Sequence, residues 1–455
     1  MARHEVYAFG PFRLDVGDRR LSQGDATIHL APKAHDVLVA LVRDAGRLVT
    51  KHDLLARVWA DAFVEEGILA VHVSSLRKAL RDTHRPPVYI ETVSRSGYRF
   101  IAPIARVTSG RVAPAGDAPH PPEALALVGR GRSHLFSASY FELPEAVSAF
   151  QSAIDIDPAY AAAHAGLALA RCAQASLRAA PHVAAYTDAK ASALRALALD
   201  HECADAQVAL GVVLFLSEWD WIGAERSLRR ALQLSPGHPE ACVHYGSLLE
   251  ALGQLDEGLR MKEMALERHP ASPFVLVGIA SSYWHQRRYG ETRALAHRAL
   301  ECDARHLLAR ELLVGAYMKQ GDFDAAMRES VTQAESFGAP GEAIANIKAL
   351  CVRLEAAYAS GGSAAVARCA LRETPAAAAA DGAAAIRLAV LSADAGDLDA
   401  AFVHLDRAIE SRDPSLVHLA VAPQWDGLRE DPRFRDRLSR MRIPFGTSGP
   451  ISGST

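Results

Sequence analysis

Between Arg77 and Arg99, six basic side chains (Arg77, Lys78, Arg81, Arg85, Arg95 and Arg99) stand against two acids, Asp82 and Glu91. Cations at that density suit phosphate, because each contact with a nucleic-acid backbone releases condensed counterions. The formal charge of −3 hides this cluster: residues 1–105 hold 15 Lys+Arg against 12 Asp+Glu, leaving 35 against 41 for the rest of the 455 residues. Other chemistries lack their residues. The six cysteines, Cys172, Cys203, Cys242, Cys302, Cys351 and Cys369, form no CxxC pair and share no ligand spacing with histidine, so neither zinc nor a disulfide framework is expected. No GxxxxGK[ST] loop, GxSxG elbow or HExxH pair occurs. The acid pairs Glu65-Glu66 and Asp397/Asp399 suit loops and helix caps, and Trp219 and Trp221 suit packing. The expectation is a protein that is not an enzyme and needs no cofactor.

The elements that carry these cations follow from periodicity. Residues 5–30 alternate apolar and polar, with turns at Gly10-Pro11, Gly17-Asp18 and Gly24-Asp25, which predicts a small antiparallel sheet. Pro32–Asp44 predicts a first helix with Val37, Leu38, Leu41 and Val42 on its apolar face, ended at Gly46. Thr50 followed by Asp53 starts a second helix over Lys51–Trp59. A third is expected over Glu65–Arg81, and the segments VYIETV and GYRFIA then form a hairpin around Ser94–Gly97. On the third helix Leu69, Val73, Leu76 and Leu80 fall in one stripe at 100° per residue. Val71, Ser74, Ser75 and Lys78 lie opposite, flanked by His72, Arg77 and Arg81. Small polar side chains with one lysine, flanked by cations, can enter a major groove without steric conflict.

The stretches VHVSSLRKAL and YIETVSRSGYRF, with the FGPFRLD start and the VTKHDLLARVW helix, resemble the DNA-binding domains of OmpR/PhoB-type regulators over about residues 4–104. That resemblance implies an α+β winged helix-turn-helix domain in which Val71, Ser74, Ser75 and Lys78 face bases. It implies phosphate contacts for His72, Arg77, Thr92 and the Trp59 indole N–H, and a minor-groove probe in Arg95 beside Ser94. Arg81 and Arg99 complete the expected DNA-binding set, and Leu69 and Tyr98 are expected to pack. Many relatives carry arginines where Ser74 and Ser75 stand, which shifts direct readout toward Lys78 and the wing.

Residues 106–122, with Pro114, Pro119, Pro121 and Pro122, predict a flexible linker spanning roughly 20–25 Å. From Glu123 the chain is Ala/Leu-rich and helical in period. Pro236, Pro270, Ala304 and Gly338 recur at 34-residue intervals, with small residues such as Gly246, Gly258, Ala265, Ala280, Ala299 and Ala326 at helix crossings. This pattern resembles the tetratricopeptide repeat, an all-α solenoid in which each helix pair buries its apolar face against its neighbours. The expected organisation is a winged helix over 1–105, a linker over 106–122, repeats over 123–338, an irregular helical and capping region over 339–445, and a disordered tail over 446–455.

The whole arrangement resembles bacterial regulators that join an OmpR-type domain to tetratricopeptide repeats, and ToxR/CadC-type activators without a transmembrane helix. No receiver domain precedes the winged helix, so a one-component, sequence-specific transcriptional regulator is expected. No apolar leader follows Arg3, no segment is apolar enough to span a bilayer, and a cytoplasmic, nucleoid-associated location is expected. Expected partners are double-stranded promoter DNA, RNA polymerase, a protein or peptide on the repeats, and another copy of the chain, but no membrane. The alternative is an interaction scaffold that contacts RNA polymerase or a partner with little direct DNA binding.

Overall fold

A computed structural model describes residues 6–23, 26–59, 64, 67–82, 87–93, 96–102, 104–106, 120–137, 142–374 and 382–443. They fall into two compact units, one ending at Ala170 and the other beginning at Arg171.

The first unit opens with strands β1 (Val6–Phe9), β2 (Phe12–Asp15), β3 (Arg20–Gln23) and β4 (Ala26–Ile28), paired antiparallel in sequence order. Their alternation places Phe9, Phe12, Leu14 and Leu21 in the core. Helices α1 (Pro32–Arg43), α2 (Lys51–Val58) and α3 (Gly67–Ala79) follow, then a hairpin of β6 (Ile90–Val93) and β7 (Gly97–Phe100). Thr50 caps α2 as its spacing predicts, its Oγ1 accepting from the Asp53 amide at 3.1 Å. Two strands escape the alternation pattern. β5 (Leu48–Thr50) pairs with β7, setting Val49 against Tyr98, and β8 (Ala105–Arg106) returns to the free edge of β1. At Gly97 a Cβ would lie 2.1 Å from the Val49 carbonyl oxygen, so only glycine lets β5 approach.

Residues 107–119 of the expected linker lie outside the described residues. Its far end is built into the fold, since His120 stacks on Tyr160 at 3.9 Å and bonds Asp157 at 2.5 Å. Three helices complete the unit to Ala170: α4 (Pro122–Ser137), α5 (Leu143–Ile156) and the start of α6 (Ala161–Ser176). Helix α4 packs on the winged helix, where a Cβ at Gly129 would come 2.5 Å from the Ile101 carbonyl oxygen. Ile101 and Arg99 offer α4 a surface that composition does not reveal.

Among the described residues, the elements of the second unit are all helical. Helices α7 (His182–Leu199), α8 (Ala204–Val213) and α9 (Trp221–Leu234) lead into three regular pairs. These are α10 (Pro239–Ala251) with α11 (Leu255–Arg268), α12 (Pro273–His285) with α13 (Tyr289–Cys302), and α14 (Leu307–Lys319) with α15 (Phe323–Ser336). The first helices start at 239, 273 and 307 and the second at 255, 289 and 323, both 34 residues apart. Pro236, Pro270, Ala304 and Gly338 fall in the turns between pairs. This is tetratricopeptide architecture, and it follows a winged helix as the pattern predicts. Trp219, in a left-handed turn after α8, and Trp221 are both buried, and the Trp221 indole N–H donates to the Met441 carbonyl at 3.0 Å. The poorly periodic stretch after 340 becomes α16 (Gly341–Glu373), kinked at Gly361-Gly362. Helices α17 (Gly382–Ala395) and α18 (Leu398–Glu410) follow, then two short turns at Pro414–His418 and Pro423–Leu428, and α19 (Pro432–Arg440). Among the described residues no helix is long and apolar enough to cross a membrane.

Where α10 crosses α11, a Cβ at Gly246 would sit 2.6 Å from the Gly258 carbonyl oxygen, and one at Gly258 would sit 2.5 Å from that of Gly246. Backbone cannot yield as a flexible side chain does. Gly246→Val is therefore expected to cost about 1–3 kcal/mol or more through overpacking. Thermal unfolding followed by circular dichroism checks this, with a drop of roughly 2–12 °C expected.

Candidate nucleic-acid interface

Leu69, Val73, Leu76 and Leu80 are at most 2% exposed, which fixes α3 on the core. The opposite face is open: Val71 is 64% exposed, and Ser74, Ser75 and Lys78 are exposed beside it. Arg81 continues this edge past the helix end, exposed in a left-handed conformation at φ 54°. Lys78, Arg81 and the small polar side chains thus share one surface that is open among the described residues, with an apolar Val71 available to a thymine methyl.

Two charged side chains hold the hairpin to this helix. Arg77 donates from Nε and Nη2 to the Ile90 carbonyl at 3.2 and 2.7 Å, and from Nη2 to Thr92 Oγ1 at 2.8 Å. Asp82 is buried and accepts from the amides of Val88, Tyr89 and Ile90 at 2.6, 3.1 and 2.9 Å. Charge-assisted bonds of this kind are about twice as strong as neutral ones. They set the angle between the helix and the strand that leads into the wing.

The other expected contact residues divide. His72 lies on the flank, its ring 5.4 Å from the Trp59 indole. Trp59 itself is only 9% exposed and belongs to the hydrophobic core, with Lys33 Nζ 5.6 Å from its ring centre. Thr92 is exposed, yet its hydroxyl already accepts from Arg77. Arg99 turns away from a free surface: it pairs with Glu91 at 3.1 Å and donates to Ser133 on α4. It thereby joins β7 to α4. Tyr98 and Leu69 pack, as expected. Ser94 and Arg95, expected in the wing, lie outside the described residues, as does Arg85. Sequence reasoning missed the bracing role of Asp82, whose signal was one of only two acids in a basic stretch.

A second polar cluster lies inside the repeats. Glu250 and Lys262 are both 0% exposed and pair at 2.8 Å. Lys262 also donates to the Gly278 carbonyl at 3.1 Å and Ser282 at 3.0 Å, and His285 Nδ1 meets Glu250 at 2.9 Å. Burial alone would raise the Glu250 carboxyl, but the Lys262 ammonium and His285 hold it well below the usual carboxylate range. Glu250, His285 and His418 lie close enough to suggest metal ligands. The donor set fits poorly, because an ammonium already occupies the carboxylate and the two imidazoles stack at 4.5 Å, so their in-plane lone pairs do not converge.

Two histidines tie stability to pH in opposite senses. Burial opposes charge on His238, yet hydrogen bonds to Asp205 and Glu240, at 2.8 and 3.1 Å, raise it to about 10 from its ordinary 6.5. That contribution is complete below 6.5 and is lost as pH rises toward 10. His418 is pushed down to about 3 by burial, then by His285, so stability is lost as pH falls from 6.5 toward 3. The midpoint of thermal unfolding is expected to be highest near neutrality. His238→Gln should flatten the alkaline limb and His418→Gln part of the acid limb.

Helix, braced hairpin and open cationic face define a winged helix-turn-helix DNA-binding domain. It is of the OmpR/PhoB type. Residues 25–100 match the family described as transcriptional regulatory protein, C terminal. The transcriptional regulator HilA of Salmonella typhi is 38% identical over 107 residues, covering 23% of this chain and 19% of HilA. The transcriptional regulatory protein KdpE of Mycobacterium tuberculosis is 35% identical over 92 residues, 20% of this chain and 41% of KdpE. The chain thus spans about a fifth to two fifths of the length of these relatives. Among solved structures, the DNA-binding domain of E. coli CadC is similar at 27% identity, covering 23% of this chain and all of that domain, with a TM-score of 0.22.

Proposed function

We propose that this chain is a transcriptional regulator that binds promoter DNA through the outer face of α3 and the wing, while its repeats take a partner protein or peptide. The observation that carries the reading is the open face of Val71, Ser74, Ser75 and Lys78, held at a set angle to the hairpin by Arg77 and Asp82. Such a face docks in a major groove with its polar side chains toward base edges. The likeness to HilA and KdpE, over 107 and 92 residues, supports the same reading. Helical repeats stacked at a constant interval support the second half, since solenoids present extended surfaces to other chains.

The test is a salt series of duplex-DNA binding by the full chain, read by fluorescence anisotropy. Lys78→Ala should lower the slope of log K against log salt by about 1. Absence of binding to duplex DNA even at low salt would overturn the proposal.

A further inference from the structure

Helices α12, α14 and α17, with the second C-terminal turn, line an open cavity of about 410 Å³ in the second unit. Its apolar lining includes Trp284, Leu308 and Met318. Room for the indole depends on Gly315, where a Cβ would come 3.0 Å from the Trp284 ring. Gln424 orients that ring by accepting from its N–H at 3.3 Å. Two carboxylates, Glu311 and Asp394, open into this cavity and are exposed. Neither has a hydrogen bond or ion pair among the described residues, whereas nearby Asp413 and Asp426 are taken by Arg178 and Arg287 at 2.9 and 2.6 Å.

Partial desolvation against the walls pushes the Glu311 carboxyl up against the opposing field of Arg178, and the Asp394 carboxyl up against that of Lys319. Lys319 is the only basic side chain lining the cavity among the described residues. A partly desolvated carboxylate without a partner gains most from a cation that brings its own hydrogen-bond donors. An aromatic face adds attraction for the same charge, and aliphatic walls suit a long methylene stem.

We propose that this cavity receives an arginine or lysine side chain of a partner polypeptide, with its stem along the apolar wall and its charge between Glu311 and Asp394. The proposal rests on the reading of the repeats as a partner-binding surface. A positive partner side chain is the complement of what the cavity offers, and the volume accommodates it with adjoining backbone.

The experiment is selection of random decapeptides displayed on phage against the full chain. Affinities of the selected peptides are then measured with fluorescent synthetic copies. Enriched peptides should carry Arg or Lys, and binding should weaken at least tenfold in Glu311→Gln and Asp394→Asn and on replacing the peptide cation with norleucine. Both variants should keep the wild-type unfolding temperature and DNA affinity. Peptides that lack a cation, or that bind both variants as tightly as wild type, would overturn the cation subsite and leave the partner surface standing. No enrichment of any peptide would overturn the subsite and the partner surface together.

Discussion

Glu250→Ala is expected to be the most damaging single change in the repeats, costing about 3–5 kcal/mol. The reason is what it leaves behind. Lys262 is 0% exposed, and its remaining partners, the Gly278 carbonyl and Ser282, are neutral, so the mutation strands an ammonium in a packed interior. Water reaches neither group in the wild type, and the carboxylate also anchors His285. For a domain of this size the loss corresponds to a fall of roughly 6–20 °C in the midpoint of helix melting. Glu250→Leu combined with Lys262→Met should recover much of it, because removing both charges removes the stranded one. A single-variant midpoint within 2 °C of wild type would show that the pair is hydrated.

Lys78→Glu should have the largest effect on DNA, weakening duplex binding on the order of 100-fold at about 0.1 M salt. Lys78 is the one cation on the open centre of the α3 face, since Arg77 is spent on Ile90 and Thr92. Reversal removes an attractive contact and sets a carboxylate against phosphates. The side chain is exposed and packs against no core, so melting should stay unchanged. Competition anisotropy measures the affinity, and a loss below threefold would move the DNA surface away from α3.

Helices α1 and α3 were legible because their apolar stripes repeat over three or more turns, α2 because Thr50 and Asp53 mark its start, and the core confirms every member of the α3 stripe. Strands β5 and β8 were not, since three and two residues are too few to show alternation, and both exist through partners far along the chain, Tyr98 and Tyr7. The repeat interval was readable from turn residues alone, while α16 lost its period at Gly361-Gly362. The site was half legible. Which residues face outward on α3 follows from helical geometry, but whether an arginine is free depends on what folds beside it. Arg77 meets a carbonyl 13 residues on, and Arg99 a serine 34 residues on. The Glu250–Lys262–His285 network joins residues from three helices that only the stacked repeats bring together.

The central claim is that DNA lies against the outer face of α3, and photocrosslinking tests it most directly. A benzophenone-bearing amino acid is placed at position 75 in one sample and, as a control, at exposed position 403 on α18 in another. Each full chain is then irradiated with labelled duplex selected for binding. The account predicts a crosslink from position 75, abolished by unlabelled duplex, and none from position 403. A duplex that binds the chain yet crosslinks only from position 403, or from neither position, would contradict it.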